Sequence, residues 1–147
     1  MPSPQNAELL DAMADQIRAA MVAVTDIDVQ VEPRMVSAPS PPTIDMYPGD
    51  VSRGREASAF GLEGEHLFTV RARVNDNDVV ANQDLLLAFM DDINDLSIAM
   101  ALLDEPTLGG IASSLDCVDP TGYVQYPFGG ETLLGFQFTC KVIRADS

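Results

Sequence analysis

The chain reads as an acidic α+β domain. Three observations carry that class: an amphipathic helical pattern near the start, runs of two-residue alternation further on, and a segment from Leu103 to Cys117 in which one pattern gives way to the other. In that segment Asp104, Glu105 and Pro106 end an apolar helical run, because proline has no amide hydrogen and restricts the residue before it. Gly109 and Gly110 give the backbone freedom for a sharp reversal. Ile111, Ser113, Leu115 and Cys117 then alternate with Ala112, Ser114 and Asp116 at the period of a half-buried strand.

The first helix is predicted from about Pro4 to Val24, with Ser3 as cap and Pro4 at the first helical position. Leu9, Leu10, Met13, Ile17, Met21 and Val24 recur at helical spacing, and Asp11, Asp15 and Arg18 occupy other faces. A helix lying on a membrane surface would carry Lys and Arg on its polar face, and this one carries the opposite charge. A strand follows over Val29 to Val36, in which Pro33 forces an edge or bulged position. The stiff connector Ser37 to Pro42 leads to a second strand, Thr43 to Tyr47, and the two together read as a hairpin. Its prolines resemble a short proline-rich ligand, but between two strands they read as punctuation.

From Pro48 to Glu65 the chain carries four glycines and mixed charges, including Arg53, Arg55 and Glu56, and reads as the mobile segment. Arg53 and Arg55 are placed to reach an acidic neighbour; the competing reading is a solvated loop. The strand His66 to Val74 sets Phe68, Val70, Ala72 and Val74 on one face and Thr69, Arg71 and Arg73 on the other. A turn at Asp76 to Asp78 opens a helix reaching about Asp91, with Val80, Gln83, Leu86, Leu87 and Met90 on its buried side. A shorter helix, capped by Ser97, runs to Leu103. The closing strand, Thr132 to Ile143, turns Leu134, Phe136, Phe138, Cys140 and Val142 inward and Gln137, Thr139 and Lys141 to the other side.

A length of 147 residues suits one domain, 1–147, able to bury about 70% of its unfolded surface. With 8 basic against 23 acidic residues and a formal charge of -15, a nucleic-acid clamp is disfavoured, because phosphate binding needs clustered Lys and Arg. Adsorption to an anionic membrane is disfavoured for the same reason. The acidity serves solubility, or a surface that meets a basic partner or lets DNA pass without sticking. No apolar run approaches the roughly 20 residues that span a bilayer. The first residues lack the basic start and apolar core of a secretory signal, so folding in a cytoplasm is expected. Cys117 and Cys140 fall in strand-like runs and read as reduced, buried thiols.

Chemistry is hard to find. His66 is the single histidine, so a histidine triad or a zinc site has no material. Asp76, Asn77 and Asp78 begin like a calcium loop, but the sixth and twelfth positions hold Ala81 and Leu87 instead of Gly and Glu. The pairs Gly109-Gly110 and Gly129-Gly130 lack the Lys and Ser/Thr of a phosphate loop and read as turns. Phe136 and Phe138 share the inward face with Leu134 and read as core, not as a base-stacking platform. The expectation is a protein without catalytic, cofactor-binding or metal-binding residues.

The strand HLFTVRARV, the helix NQDLLLAFMDD, the short helix SIAMALL, the turn and strand DEPTLGGIASSLDC and the closing strand ETLLGFQFTCKVI occur in an order that resembles the tail terminator (tail completion) proteins of long-tailed bacteriophages. The likeness covers the chain from about Val29 onward. It implies a mixed, mainly antiparallel sheet flanked by helices and a structural role in the virion, with assembly in the host cytoplasm. Such proteins form a hexameric ring that caps the tail tube, ends its polymerisation and presents a surface to head-completion or connector proteins. DNA passes through the ring without specific binding. A closed ring needs two different patches that dock on each other. The segment Pro48 to Glu65, with Arg53, Arg55 and Glu56, and the edge strand containing Pro33 are the interface candidates. The alternatives are another head-tail connector, stopper or minor tail protein, or a cytosolic binding module.

Overall fold

Among the described residues, helical and alternating patterns form three α-helices and six strands, arranged as an α+β fold with a mixed, mostly antiparallel sheet. The structure is a computed structural model and describes residues 6–49, 65–75, 80–91 and 94–145. Helix α1 (Asn6–Val24) buries Leu9, Leu10, Met13, Ala14, Ile17 and Met21, the stripe its periodicity marks. Val24 falls off that stripe and is exposed. Helix α2 (Val80–Met90) buries Leu85, Leu86 and Phe89, whereas Val80 and Leu87, expected inside, face out. It meets β3 (Glu65–Asn75) and α3 (Ile98–Leu103) through a narrow face, and a helix this rich in apolar residues offers several such faces on paper. At the start of α3 the Ser97 hydroxyl oxygen accepts the Met100 N–H at 3.0 Å, the cap read from the sequence.

The remaining strands are β1 (Gln30–Glu32), β2 (Thr43–Pro48), β4 (Ala112–Val118), β5 (Val124–Phe128) and β6 (Glu131–Arg144). Their order is β1-β2-β3-β6-β4, with β5 also on β6. The antiparallel pair β3 and β6 forms the spine, from Glu65 opposite Ile143 to Asn75 opposite Leu133. The other edge of β6 carries β5 near its start and β4 near its end. Thr121 links the two along β6, donating its N–H to Gln137 O at 2.9 Å and accepting the Gln137 N–H on Oγ1 at 3.1 Å.

Three sequence expectations are corrected. β1 and β2 are parallel, with Gln30 opposite Thr43, so they form no hairpin. β1 stops at Glu32, and Pro33, with no N–H to offer the ladder, lies just beyond it. The proline-rich connector instead returns the chain to the start of β1. The Gln30 side-chain oxygen holds it there, accepting the Ser40 N–H at 2.9 Å and the Thr43 hydroxyl at 3.0 Å. In β4 a register shift between Ala112 and Ser114 breaks the alternation, so that Ala112 and Leu115 are buried while Ser113 and Ser114 are exposed. β5, which the sequence reading passes over, pairs with β6 through a Gly129-Gly130 turn whose φ angles of 57° and 83° suit a tight hairpin.

One face of the sheet (Ile44, Met46, Phe68, Val70, Ala72, Phe136, Phe138, Cys140 and Val142) joins the buried faces of all three helices in a single apolar core. Phe136 and Phe138 lie in that core with ring centroids 6.0 Å apart. Each fully buried side chain of this size contributes about 1.5–3 kcal/mol. The opposite face is also shielded, and it buries polar groups: Thr43, Asp45, Thr69, Arg71, Arg73 and Thr139 lie there beside Leu67, Leu133 and Tyr47.

Candidate functional site

The polar face is organised around Asp45. The β2–β3 register sets Asp45 directly opposite Arg71, and Arg73 follows two residues later on the same side of β3. Asp45 is fully buried. Its Oδ1 accepts the Arg71 Nε–H at 2.9 Å, and its Oδ2 accepts Arg71 Nη2 at 2.5 Å, a two-pronged pair. The same Oδ2 accepts Arg73 Nη2 at 3.1 Å and the Val36 N–H at 2.8 Å. Arg73 Nη2 also donates to Val36 O at 3.0 Å, so the connector between β1 and β2 is fastened to the cluster from both sides of one peptide group pair.

Two tyrosines complete it. The Arg71 guanidinium carbon lies 5.3 Å from the Tyr47 ring centroid and 5.5 Å from that of Tyr126, within cation–π range of both. Tyr126, on β5, reaches the cluster because Gly135 has no side chain: a Cβ there would stand 2.8 Å from Tyr126 Cε2 and 2.1 Å from Ala72 O. The Tyr126 hydroxyl donates to Gln137 Oε1 at 2.7 Å. Burial pushes its pKa up, against the pull of Arg71.

The two arginines differ in how well they are paired. Burial works against the Arg71 charge, but the hydrogen bonds and charge of Asp45 outweigh it and hold the pKa above the ordinary value. Burial lowers the pKa of Arg73, which has a single nitrogen on Asp45, and the neighbouring Arg71 adds to the fall. Arg73 Nε is buried without a hydrogen-bond partner. Two guanidiniums on one carboxylate leave a surplus positive charge in an otherwise acidic protein. The cluster can fix geometry and meet an anionic group. It is poorly suited to proton transfer, because Asp45 already accepts four hydrogen bonds and arginine stays protonated.

Two further features lie on the helix side. A groove of about 860 Å³ runs between α1 and the stretch from Asn94 to Gly109; Ala12, Ala19, Ala20 and Ala23 line it on α1, with Asp15, Asp95, Asp104 and Glu105 among its carboxylates. The Gln16 side-chain amide joins its walls by donating to Ala101 O and Leu102 O, both at 2.9 Å, and to Glu105 O at 3.1 Å. At the end of the sheet His66 is buried, its Nδ1 2.5 Å from Asn6 Oδ1 and its Nε2 3.3 Å from Arg144 Nη1. Burial, and then the Arg144 charge, lower its pKa. Among the described residues no three His, Cys, Asp or Glu side chains converge as a metal site. Among them, too, no helix is long and apolar enough to cross a membrane.

Of the residues singled out from the sequence, Arg53, Arg55 and Glu56 lie outside the described residues, with the whole stretch from 50 to 64. Pro33 is half-buried beside the edge strand β1. The cluster of Asp45, Arg71, Arg73, Tyr47 and Tyr126 was missed. Its one sequence signal is Arg71 and Arg73 two apart on a strand, with Asp45 and Tyr47 two apart on another. No protein-family model matches the chain, and a comparison with curated proteins finds no match.

Proposed function

We propose that this chain is a structural virion subunit of the tail-terminator kind, which assembles as a hexameric ring on the tail tube, ends tube growth and offers a surface for head-tail joining. The observation that carries this reading is the order of elements in one helix-backed sheet: central strand β3, helices α2 and α3, strand β4 and, β5 aside, the long closing strand β6. That is the order on which the resemblance rests. The Asp45 cluster is compatible with a structural role, since its four hydrogen bonds tie β2, β3 and the connector at Val36 together. The formal charge of -15 suits a passage that DNA crosses without sticking. Heterologous patches would close the ring, with the edge at β1 and Pro33 and the segment carrying Arg53, Arg55 and Glu56 as the candidates.

The decisive experiment is genetic and structural together. Deleting the gene is expected to give abnormally long or uncapped tail tubes, and adding the purified protein to such tubes is expected to place a six-chain ring at one end. Free tails of normal length after deletion would assign the protein to the head side of the joint. A monomer that also fails to bind tail tubes would overturn the proposal.

A further inference from the structure

We infer that Cys117 and Cys140 form a reversible oxidation site, which takes a low-molecular-weight disulfide such as glutathione disulfide and closes a disulfide between β4 and β6. They are the chain's two cysteines, and both are free thiols. The antiparallel register sets them directly opposite each other, and their sulfurs stand 3.9 Å apart. Residues opposed in this way have Cα atoms about 4.5–5.5 Å apart, within the span of a disulfide. Closing the bond therefore needs side-chain rotation and little movement of the strands.

The two thiols are unequally placed. Cys117 is half-buried on the edge strand β4, open to a small oxidant, whereas Cys140 is fully buried in β6. The hydrogen bond with Cys117, reinforced by burial, pushes the Cys140 pKa up and keeps it a thiol. This assigns the roles. Cys117 attacks one sulfur of glutathione disulfide, a mixed disulfide forms on Cys117, and the displaced glutathione leaves with the Cys117 proton. Cys140 then attacks the Cys117 sulfur, the protein disulfide forms, and the second glutathione leaves with the Cys140 proton. Two protein thiols are oxidised and one glutathione disulfide is reduced to two thiols. The bridge would tie the edge strand β4 to the sheet's spine and span the β5 hairpin between them.

The test uses the full-length reduced protein, incubated with glutathione disulfide at low protein concentration and analysed by intact mass. The expected product is a monomer lighter by two hydrogens. After cleavage at acidic residues, which cuts between the cysteines at Glu131, peptides bearing Cys117 and Cys140 should stay joined until reduced. The variant Cys140→Ala should stop at a glutathione adduct on Cys117, which identifies the first attacking thiol. A wild-type protein that remains unmodified, halts at the adduct, or oxidises only into intermolecular dimers would overturn the inference. The wild-type result alone decides it if that variant does not fold.

Discussion

Asp45 is the residue on which the polar face of the sheet depends, and the physics of buried charge sets what its loss should do. Removing it leaves two buried guanidiniums facing each other without a counter-charge. Breaking a buried pair in this way costs about 3–5 kcal/mol. Asp45→Asn, which keeps the shape, is therefore expected to lower unfolding stability by that amount in urea titrations. Arg73→Met should cost clearly less, because it removes the surplus charge and the unpartnered Nε while Asp45 keeps its two-pronged bond to Arg71. The reverse ranking would mean that Arg73 holds the cluster. His66 gives a second prediction at this scale. With Asn6 Oδ1 accepting from Nδ1–H, its Nε2 is left as the acceptor for Arg144, so the neutral ring fits and a protonated ring would face a cation. Its folded pKa lies below the ordinary 6.5, so the unfolded chain binds the proton more readily. The stability it confers is complete above that ordinary value and is lost as the pH falls through 6.5 towards the lower folded value. His66→Gln should flatten the change in urea midpoint between about pH 7.5 and 5.5. Parallel curves for the two proteins would rule His66 out as a contributor.

At the scale of elements, the close approach at Gly135 leaves no room for a side chain between strands. A Cβ there would meet a backbone oxygen, Ala72 O, at 2.1 Å, and backbone inside a paired strand has little room to give. Overpacking of this kind costs about 1–3 kcal/mol, and here the upper end or more is expected for Gly135→Ala. Gly130→Ala, where open space surrounds the missing Cβ, should lose only what a positive φ costs, about 1–2 kcal/mol. Thermal melts of the two variants check the order, and near-equal losses would show that Tyr126 and β3 can move aside. How far the elements could be read in advance follows from what each signal encodes. The α3 cap was legible because Ser97 acts on its own first turn, and the β6 face was legible because alternation assigns faces without knowledge of partners. Strand direction is another matter. Alternation in β1 and β2 says which side chains share a face and nothing about whether the strands run together; the return path is set by long-range contacts such as those of Gln30 with Ser40 and Thr43 and of Val36 with Asp45 and Arg73. The β4 shift at Ser113 removes one residue from the count, which no regular period can show. β5 carries Pro127 and hid behind it.

For the whole molecule, class was written in the pattern and the charged site was not, because Asp45, Arg71 and Tyr126 come from three strands brought together only by pairing. The proposed assembly would be set at the same scale, by net charge against local contacts. In the proposed ring, six chains that each carry a formal -15 would repel one another, and this repulsion reaches furthest in dilute salt, where the screening length is about 30 Å at 0.01 M and about 10 Å at 0.1 M. If the chain assembles as proposed, ring formation should therefore strengthen as salt rises through this range, as read by mass photometry or sedimentation. Local pairs made by Arg53 and Arg55 across subunits would act in the opposite sense, since salt weakens them, but exposed pairs contribute only about 0–1 kcal/mol each. The two terms separate in the double variant Arg53→Glu/Arg55→Glu. If those arginines bridge neighbours, the variant loses up to about fivefold in association for each pair, since 1.4 kcal/mol is tenfold. It also adds to the long-range repulsion, so its deficit should be largest in dilute salt and shrink as salt is added, while circular dichroism shows the monomer still folded. An unchanged ring mass at every salt concentration would leave the segment as a solvated loop and place the subunit contacts on the sheet edges.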